Sequence, residues 1–263
     1  CGVHVDDAME KISYNVMAKA VINATGVFSN EVRKMDQPDA AAEVSPRQGI
    51  HLVLDEEFLP ADTAIMIPRT DDGRVLFAVP WHHKIIVGTT DTPMDEVSTE
   101  PEAKEQEIDF ILQHIRDYLT KEPTRDDIRS VFCGLRPLVK GDAKSTAALS
   151  RDHHISVSDS DLISITGGKW TTYRKMAEDV VDLAIQKEQL PFVKSETSSL
   201  HIHGYKEETD FNEPLYYYGS DREELEKLFD ENIHWRNRIH RDLPYVEAEI
   251  IWAIREEMAL QVE

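Results

Sequence analysis

Arg136, Arg151 and Lys169 each stand beside glycine, proline or the end of an apolar run, in a chain that carries 29 basic against 50 acidic residues. Cations placed at such positions suit an anion, and a guanidinium offers paired donors to carboxylate or phosphate oxygens. Singly, each is equally an ordinary surface charge. Lys169 belongs to ITGGKWTTYRKMAEDVV, residues 165–181, where an apolar run ends in two glycines and a lysine ahead of a helical pattern. A helix N-terminus presents unpaired N–H groups and partial positive charge, and glycine lets a ligand approach the backbone without a Cβ in the way. A strand-to-helix turn that needs glycine only for its geometry is the plainer reading.

Other chemistry is weaker. A phosphate loop of the Gly-x4-Gly-Lys-Ser/Thr type is excluded, because Ile163 and Trp170 occupy the positions of its first glycine and its hydroxyl residue. No G-x-G-x-x-G occurs among the 11 glycines, so the usual dinucleotide fingerprint is missing. His201 and His203 would share one face of a strand as a metal pair, but no third ligand stands at a suitable spacing, and no metal is expected. Cys133, inside an apolar run, reads as an inert core thiol.

These residues need elements to hold them. Residues 11–26 read as a surface strand and then a buried one ending at Gly26, followed by a short helix over 29–36 capped by Ser29 or Asn30. Four apolar runs between 48 and 91 read as an antiparallel meander, with a turn at Thr70 to Gly73. In its first strand Ile50, Leu52 and Leu54 share one face and His51 the other, since successive side chains alternate. Residues 100–119 read as a helix whose acidic side is solvated, and 128–140 as a strand running into an extended Gly-Leu-Arg-Pro segment. A hairpin over 154–158 and 162–166 precedes a helix with Tyr173, Met176, Ala177, Val180, Val181 and Ala184 on one stripe.

The bulk numbers fit that picture. With 263 residues, 41% of them hydrophobic, the chain can bury a real core. A formal net charge of −21 argues against nucleic acid as a partner. Two cysteines without bridging spacing point to a reducing compartment, the cytoplasm. No window is apolar enough for a membrane span, and a start without Met and an end inside a helical pattern suggest a piece of a longer protein.

The runs VINATGVFSN, QGIHLVL, VPWHHKIIVGTTD, VFCGLRPL, LSRDH and ITGGKWTTYRKMAED, in that order, resemble the FAD-dependent glycerol-3-phosphate dehydrogenases. REEMAL resembles the start of that family's helical C-terminal domain. The resemblance implies a D-amino-acid-oxidase-like fold of mixed α+β and α/β character. Residues 1–200 would be FAD-binding and substrate domain with an antiparallel substrate sheet at about 44–160, and residues 201–263 the start of a helical cap. The dinucleotide fingerprint would precede residue 1, so residues 1–263 alone are expected to hold FAD weakly.

Carried over by position, Ala24, Thr25 and Gly26 would lie against the FAD, and Gly168, Lys169 and Thr171 on its flavin side. Thr89, Arg136, Arg151 and Lys169 would bind glycerol 3-phosphate, and His51 or Arg136 would take the proton of its C2 hydroxyl. Trp170 departs from the leucine the family more often carries there. The resemblance also implies a membrane quinone as electron acceptor, attachment at the cytoplasmic face of the membrane and a homodimer. An oxidase that reduces oxygen and a non-catalytic acidic interaction domain are the alternatives.

Overall fold

The computed structural model describes residues 1–71, 73–140 and 153–260; Arg151 and the LSRDH run up to residue 152 lie outside them. The chain divides into two compact units, Cys1–Val193 and Lys194–Glu263.

The first unit is built on a six-stranded antiparallel sheet. Its central strand is β4 (Val44–Asp55), and β5 (Ile65–Ile67), β6 (Leu76–Trp81) and β7 (Lys84–Gly88) follow, with β8 (Thr92–Pro93) and β9 (Ser130–Val139) completing it. β5, β6 and β7 form the expected meander, but β4 lies beside β7 rather than β5, so the order is β5-β6-β7-β4-β8 with β9 along the other edge of β4. β9 pairs with β4 from Val44↔Val139 to Val53↔Ser130.

The expected alternation is kept from Ile50 to Asp55 of β4. Ile50, Leu52 and Leu54 are fully buried, together with Ile67, Leu76, Ala78, Ile85 and Val87, under the helix α2 (Glu105–Ile115), which contributes Ile111 and Ile115. Each such side chain is worth about 1.5–3 kcal/mol of burial, which is why one face of β4 is committed to the core and the other is left for chemistry. α2 is shorter than the 100–119 expected, and its polar side is not wholly solvated: Glu107 is buried at 4% exposure.

A second, three-stranded sheet has the order β10 (His153–Val157), β11 (Ile163–Gly167), β3 (Ile22–Asn23), with β10–β11 antiparallel and β11–β3 parallel. Each parallel strand feeds a helix: α1 (Ser29–Asp36) after β3 and α3 (Tyr173–Lys187) after β11. Neither Ser29 nor Asn30 caps α1. Asn30 instead donates to the Val44 carbonyl (2.9 Å) and accepts from the Glu43 and Val44 N–H groups, tying α1 to the start of β4. On α3, Val180 and Ala184 are buried, while Tyr173, Ala177 and Val181 are exposed because only part of the stripe meets the sheet. A hairpin of β1 (Gly2–Asp7) and β2 (Ile12–Met17) stands at the start of the chain.

At the far end of β4, Asp55 accepts from Lys84 Nζ at 2.8 Å and from Arg129 Nε at 2.7 Å, and these bonds lower its pKa from 3.8 to about 2. A carboxylate whose folded pKa is depressed adds stability that is complete above its unfolded value and is lost as pH falls toward the folded one. Asp55→Asn is therefore expected to lower the melting temperature at neutral pH, with the gap from the parent chain closing between pH 3.8 and about 2. Thermal melts of both chains across that window check it.

The second unit packs Leu215, Leu225, Leu228, Ala248 and Trp252 between α4 (Arg222–Glu231) and α5 (Glu247–Glu256). Glu249, buried at 8% exposure, accepts the hydroxyl hydrogens of Tyr217 (2.7 Å) and Tyr218 (3.2 Å) and the Val246 N–H. Residues 201–203 form no strand. His203 pairs with Asp221 at 2.9 Å and His201 stacks on Tyr205, so the two rings take separate partners rather than sharing a strand face. Among the described residues no cluster of three or more His, Cys, Asp or Glu could hold a metal.

Candidate active site

His51, Thr89 and Arg136 converge on the face of the six-stranded sheet opposite its core. Register places His51 between Gly88 of β7 and Phe132 of β9, and Arg136 opposite Arg47. Two glycines make room for them. A Cβ on Gly88 would lie 2.4 Å from His51 Cδ2, and one on Gly49 would lie 2.2 Å from Arg136 Nη2. The imidazole and the guanidinium thus lie down over bare backbone, the imidazole stacked on Phe132 at 5.0 Å and 13°.

Arg136 is held by the segment that follows β7. Its Nη2 donates to Thr89 Oγ1 at 2.9 Å and its Nη1 to the Thr90 carbonyl at 3.0 Å. Two cations directly opposite on neighbouring strands repel, and Asp91 offsets this: its Oδ1 lies 3.2 Å from Arg47 Nε and 3.5 Å from Arg136 Nη1. Burial, and next the charge of Arg136, lower the pKa of His51, so the ring is neutral at neutral pH. The site therefore offers a fixed cation for an anion and, beside it, a neutral base.

Arg47, Asp91 and Phe132 were not singled out by spacing; strand alternation carried a signal for Arg47, two residues from Gly49 and four from His51 on one face of β4, whereas Phe132 and Asp91 reach the site through the pairing of β9 and the segment after β7. Cys133 is half-buried on β9, and burial raises its thiol pKa, in keeping with an unreactive thiol.

The other group gathers at the carboxyl ends of the parallel pair β3 and β11, where open α/β sheets bind their ligands. Ala24 and Thr25 are exposed there, and Gly26, at φ +60°, has open space where a Cβ would stand. Gly168 has φ +76°, and a Cβ on it would meet Met176 Sδ at 2.3 Å, so turn geometry and helix packing both call for this glycine. Lys169 and Thr171 are exposed. α3 does not start straight after the glycines: a short 3-10 turn, Trp170–Thr172, intervenes, closed by Lys169 N–H donating to Thr172 Oγ1 at 3.1 Å. Thr166 Oγ1, buried one residue before Gly167, has no hydrogen-bond partner among the described residues. The open glycine turn at Gly26, the positive-φ turn at Gly168, a lysine and a buried hydroxyl left over among the described residues, all at neighbouring strand ends, fit a nucleotide cofactor, and residues 24–26, 168, 169 and 171 could hold it. β9, which carries Arg136, runs close to β11 and to the Gly26–Phe28 turn.

The family profile described as FAD dependent oxidoreductase matches residues 2–174. Glycerol-3-phosphate dehydrogenase, mitochondrial, of Macaca fascicularis is 39% identical over 97% of this chain and 38% of its own length. The Caenorhabditis elegans protein named probable glycerol-3-phosphate dehydrogenase, mitochondrial, is 38% identical over 97% of this chain and 39% of its own. An X-ray structure of the glycerol-3-phosphate dehydrogenase from Bacillus halodurans, complexed with FAD, superposes with a TM-score of 0.68 at 31% identity, over 88% of this chain and 42% of that one. The chain thus spans 38% of the length of the Macaca relative, and the fold it shares with these proteins is the D-amino-acid-oxidase-like one expected from its motifs. With a profile match over residues 2–174, the chain belongs to the FAD-dependent oxidoreductase family.

Proposed function

We propose that the protein oxidises sn-glycerol 3-phosphate to dihydroxyacetone phosphate. The observation that carries this reading is the neutral His51 lying on the same sheet face as the guanidinium of Arg136. The names of the relatives supply the substrate. When bound, FAD supplies the acceptor for the hydride that leaves C2.

In this reading Arg136 and Thr89 hold the phosphate, with Arg151 and Lys169 as further cations, so that a locally positive pocket receives a dianion despite the chain's net charge of −21. His51 accepts the C2 hydroxyl proton on a ring nitrogen as the hydride departs. Ala24, Thr25, Gly26, Gly168, Lys169 and Thr171 form the cofactor side. A membrane quinone as the onward acceptor, attachment at a membrane face and a homodimer belong to the same proposal. Cysteine usage favours the cytoplasm, whereas the relatives are named as mitochondrial. Among the described residues no helix is long and apolar enough to cross a membrane.

The test is an anaerobic titration of the full-length protein with glycerol 3-phosphate and other polyol phosphates, followed by flavin absorbance. Bleaching by glycerol 3-phosphate is the expected result, and a colourless or unresponsive protein would defeat the reading. Rapid oxygen consumption with peroxide release would instead mark an oxidase.

A further inference from the structure

Glu107 is a buried charged residue next to the site, and four donors converge on it. Thr90 Oγ1 (2.8 Å) and Thr92 Oγ1 (2.6 Å) donate to its Oε1, and Gln48 Nε2 (2.7 Å) and the Lys104 N–H (3.1 Å) to its Oε2. Burial is the strongest single influence and pushes its pKa up. The bonds from Thr92, Lys104, Gln48 and Thr90 together outweigh it, so the net shift is downward and the group is a carboxylate.

Capping α2 would need only the Lys104 N–H. The other three donors come from β4 and from the 90–92 segment, and Thr90 is the link to the site. Its hydroxyl donates to Glu107 and accepts from the Ile50 N–H at 3.0 Å, while its carbonyl accepts from Arg136 Nη1. The peptide that seats the guanidinium is thereby clamped from the core side by a charge. We propose that Glu107 is a positioning residue for Arg136, acting through Thr90 to fix the guanidinium in the orientation that binds the substrate's anionic group. The proposal rests on the reading of Arg136 as the phosphate ligand.

Glu107→Gln keeps the shape but turns one acceptor into a donor facing donors. In the full-length protein it is expected to raise the KM for glycerol 3-phosphate about tenfold or more, leaving kcat within about threefold and flavin content unchanged. Thr90→Val should raise KM likewise, Thr90→Ser should restore it, and Glu107→Gln/Thr90→Val should be no worse than the worse single variant, because both cut one link. A folded Glu107→Gln protein with unchanged KM, or effects that add fully, would overturn the proposal. Should Glu107→Gln fail to fold, equal KM values for Thr90→Val and Thr90→Ser would overturn it.

A substrate-free measurement separates this from the functional reading. The Arg136 guanidinium N–H resonances of labelled protein should be distinct in the parent chain and averaged in Glu107→Gln. Retained distinctness overturns the positioning role whatever the substrate. Averaging together with no glycerol 3-phosphate turnover by the parent enzyme supports the positioning role and sinks only the substrate assignment.

Discussion

Arg136→Lys is expected to lower kcat/KM for glycerol 3-phosphate by about 10²–10³-fold in the full-length protein, the cost of about 3–4 kcal/mol typical for truncating one side of a hydrogen-bonded charge pair. Charge is conserved in this variant, so the loss isolates geometry. A lysine cannot place donors on Thr89 Oγ1 and the Thr90 carbonyl together, as the two terminal nitrogens of Arg136 do, while still presenting a flat edge to phosphate oxygens. The released ammonium would also be drawn to Asp91, which already serves Arg47 at 3.2 Å. Steady-state rates with glycerol 3-phosphate and with glycerol form the check. The penalty should fall on the phosphorylated substrate; equal losses on both would show that Arg136 does not read the phosphate.

Much of this arrangement is local in the chain and therefore legible. Alternation in QGIHLVL put His51 opposite the apolar face of β4, and Pro137 kept Arg136, the residue before it, on extended backbone along β9. The pattern of SNEVRKMD marked α1 over the span it occupies. Glu107 and Asn30 escaped because their partners are distant in sequence, and the remaining misses had local causes. Glu107 looks like one more acidic residue of an exposed helix, because its partners Gln48, Thr90 and Thr92 lie 59, 17 and 15 residues away and no periodicity encodes them. Asn30 was read as a cap because Asn is a good one, yet the free N–H groups of residues 43 and 44 competed for it. The histidines at 201 and 203 had strand spacing without a partner strand, and alternation without pairing predicts nothing about which side a ring takes. The start of α3 shifted to Tyr173 because two positive-φ glycines must unwind before a helix can begin.

His51→Gln separates the two readings of the base. If the imidazole accepts the C2 proton, kcat should fall about 10²–10⁴-fold with KM little changed. An arginine stays protonated at any pH a protein survives, so Arg136 has no lone pair to offer and serves the alcohol only through its charge. The pH profile carries the sharper signature. Burial, and then the charge of Arg136, disfavour the imidazolium and lower the pKa of His51 below 6.5. A base must be neutral to act, so kcat/KM in the parent enzyme should hold as pH falls through 6.5 and decline only at the lower value. Folding stability linked to this group should follow the same direction, present above 6.5 and lost as pH falls through the folded-state value. His51→Gln should lack that acid limb. An unchanged limb in the variant would assign it to another group, such as the second ionisation of the substrate phosphate, and retained kcat would remove His51 from the proton transfer, because a glutamine amide has no basic nitrogen with which to replace it.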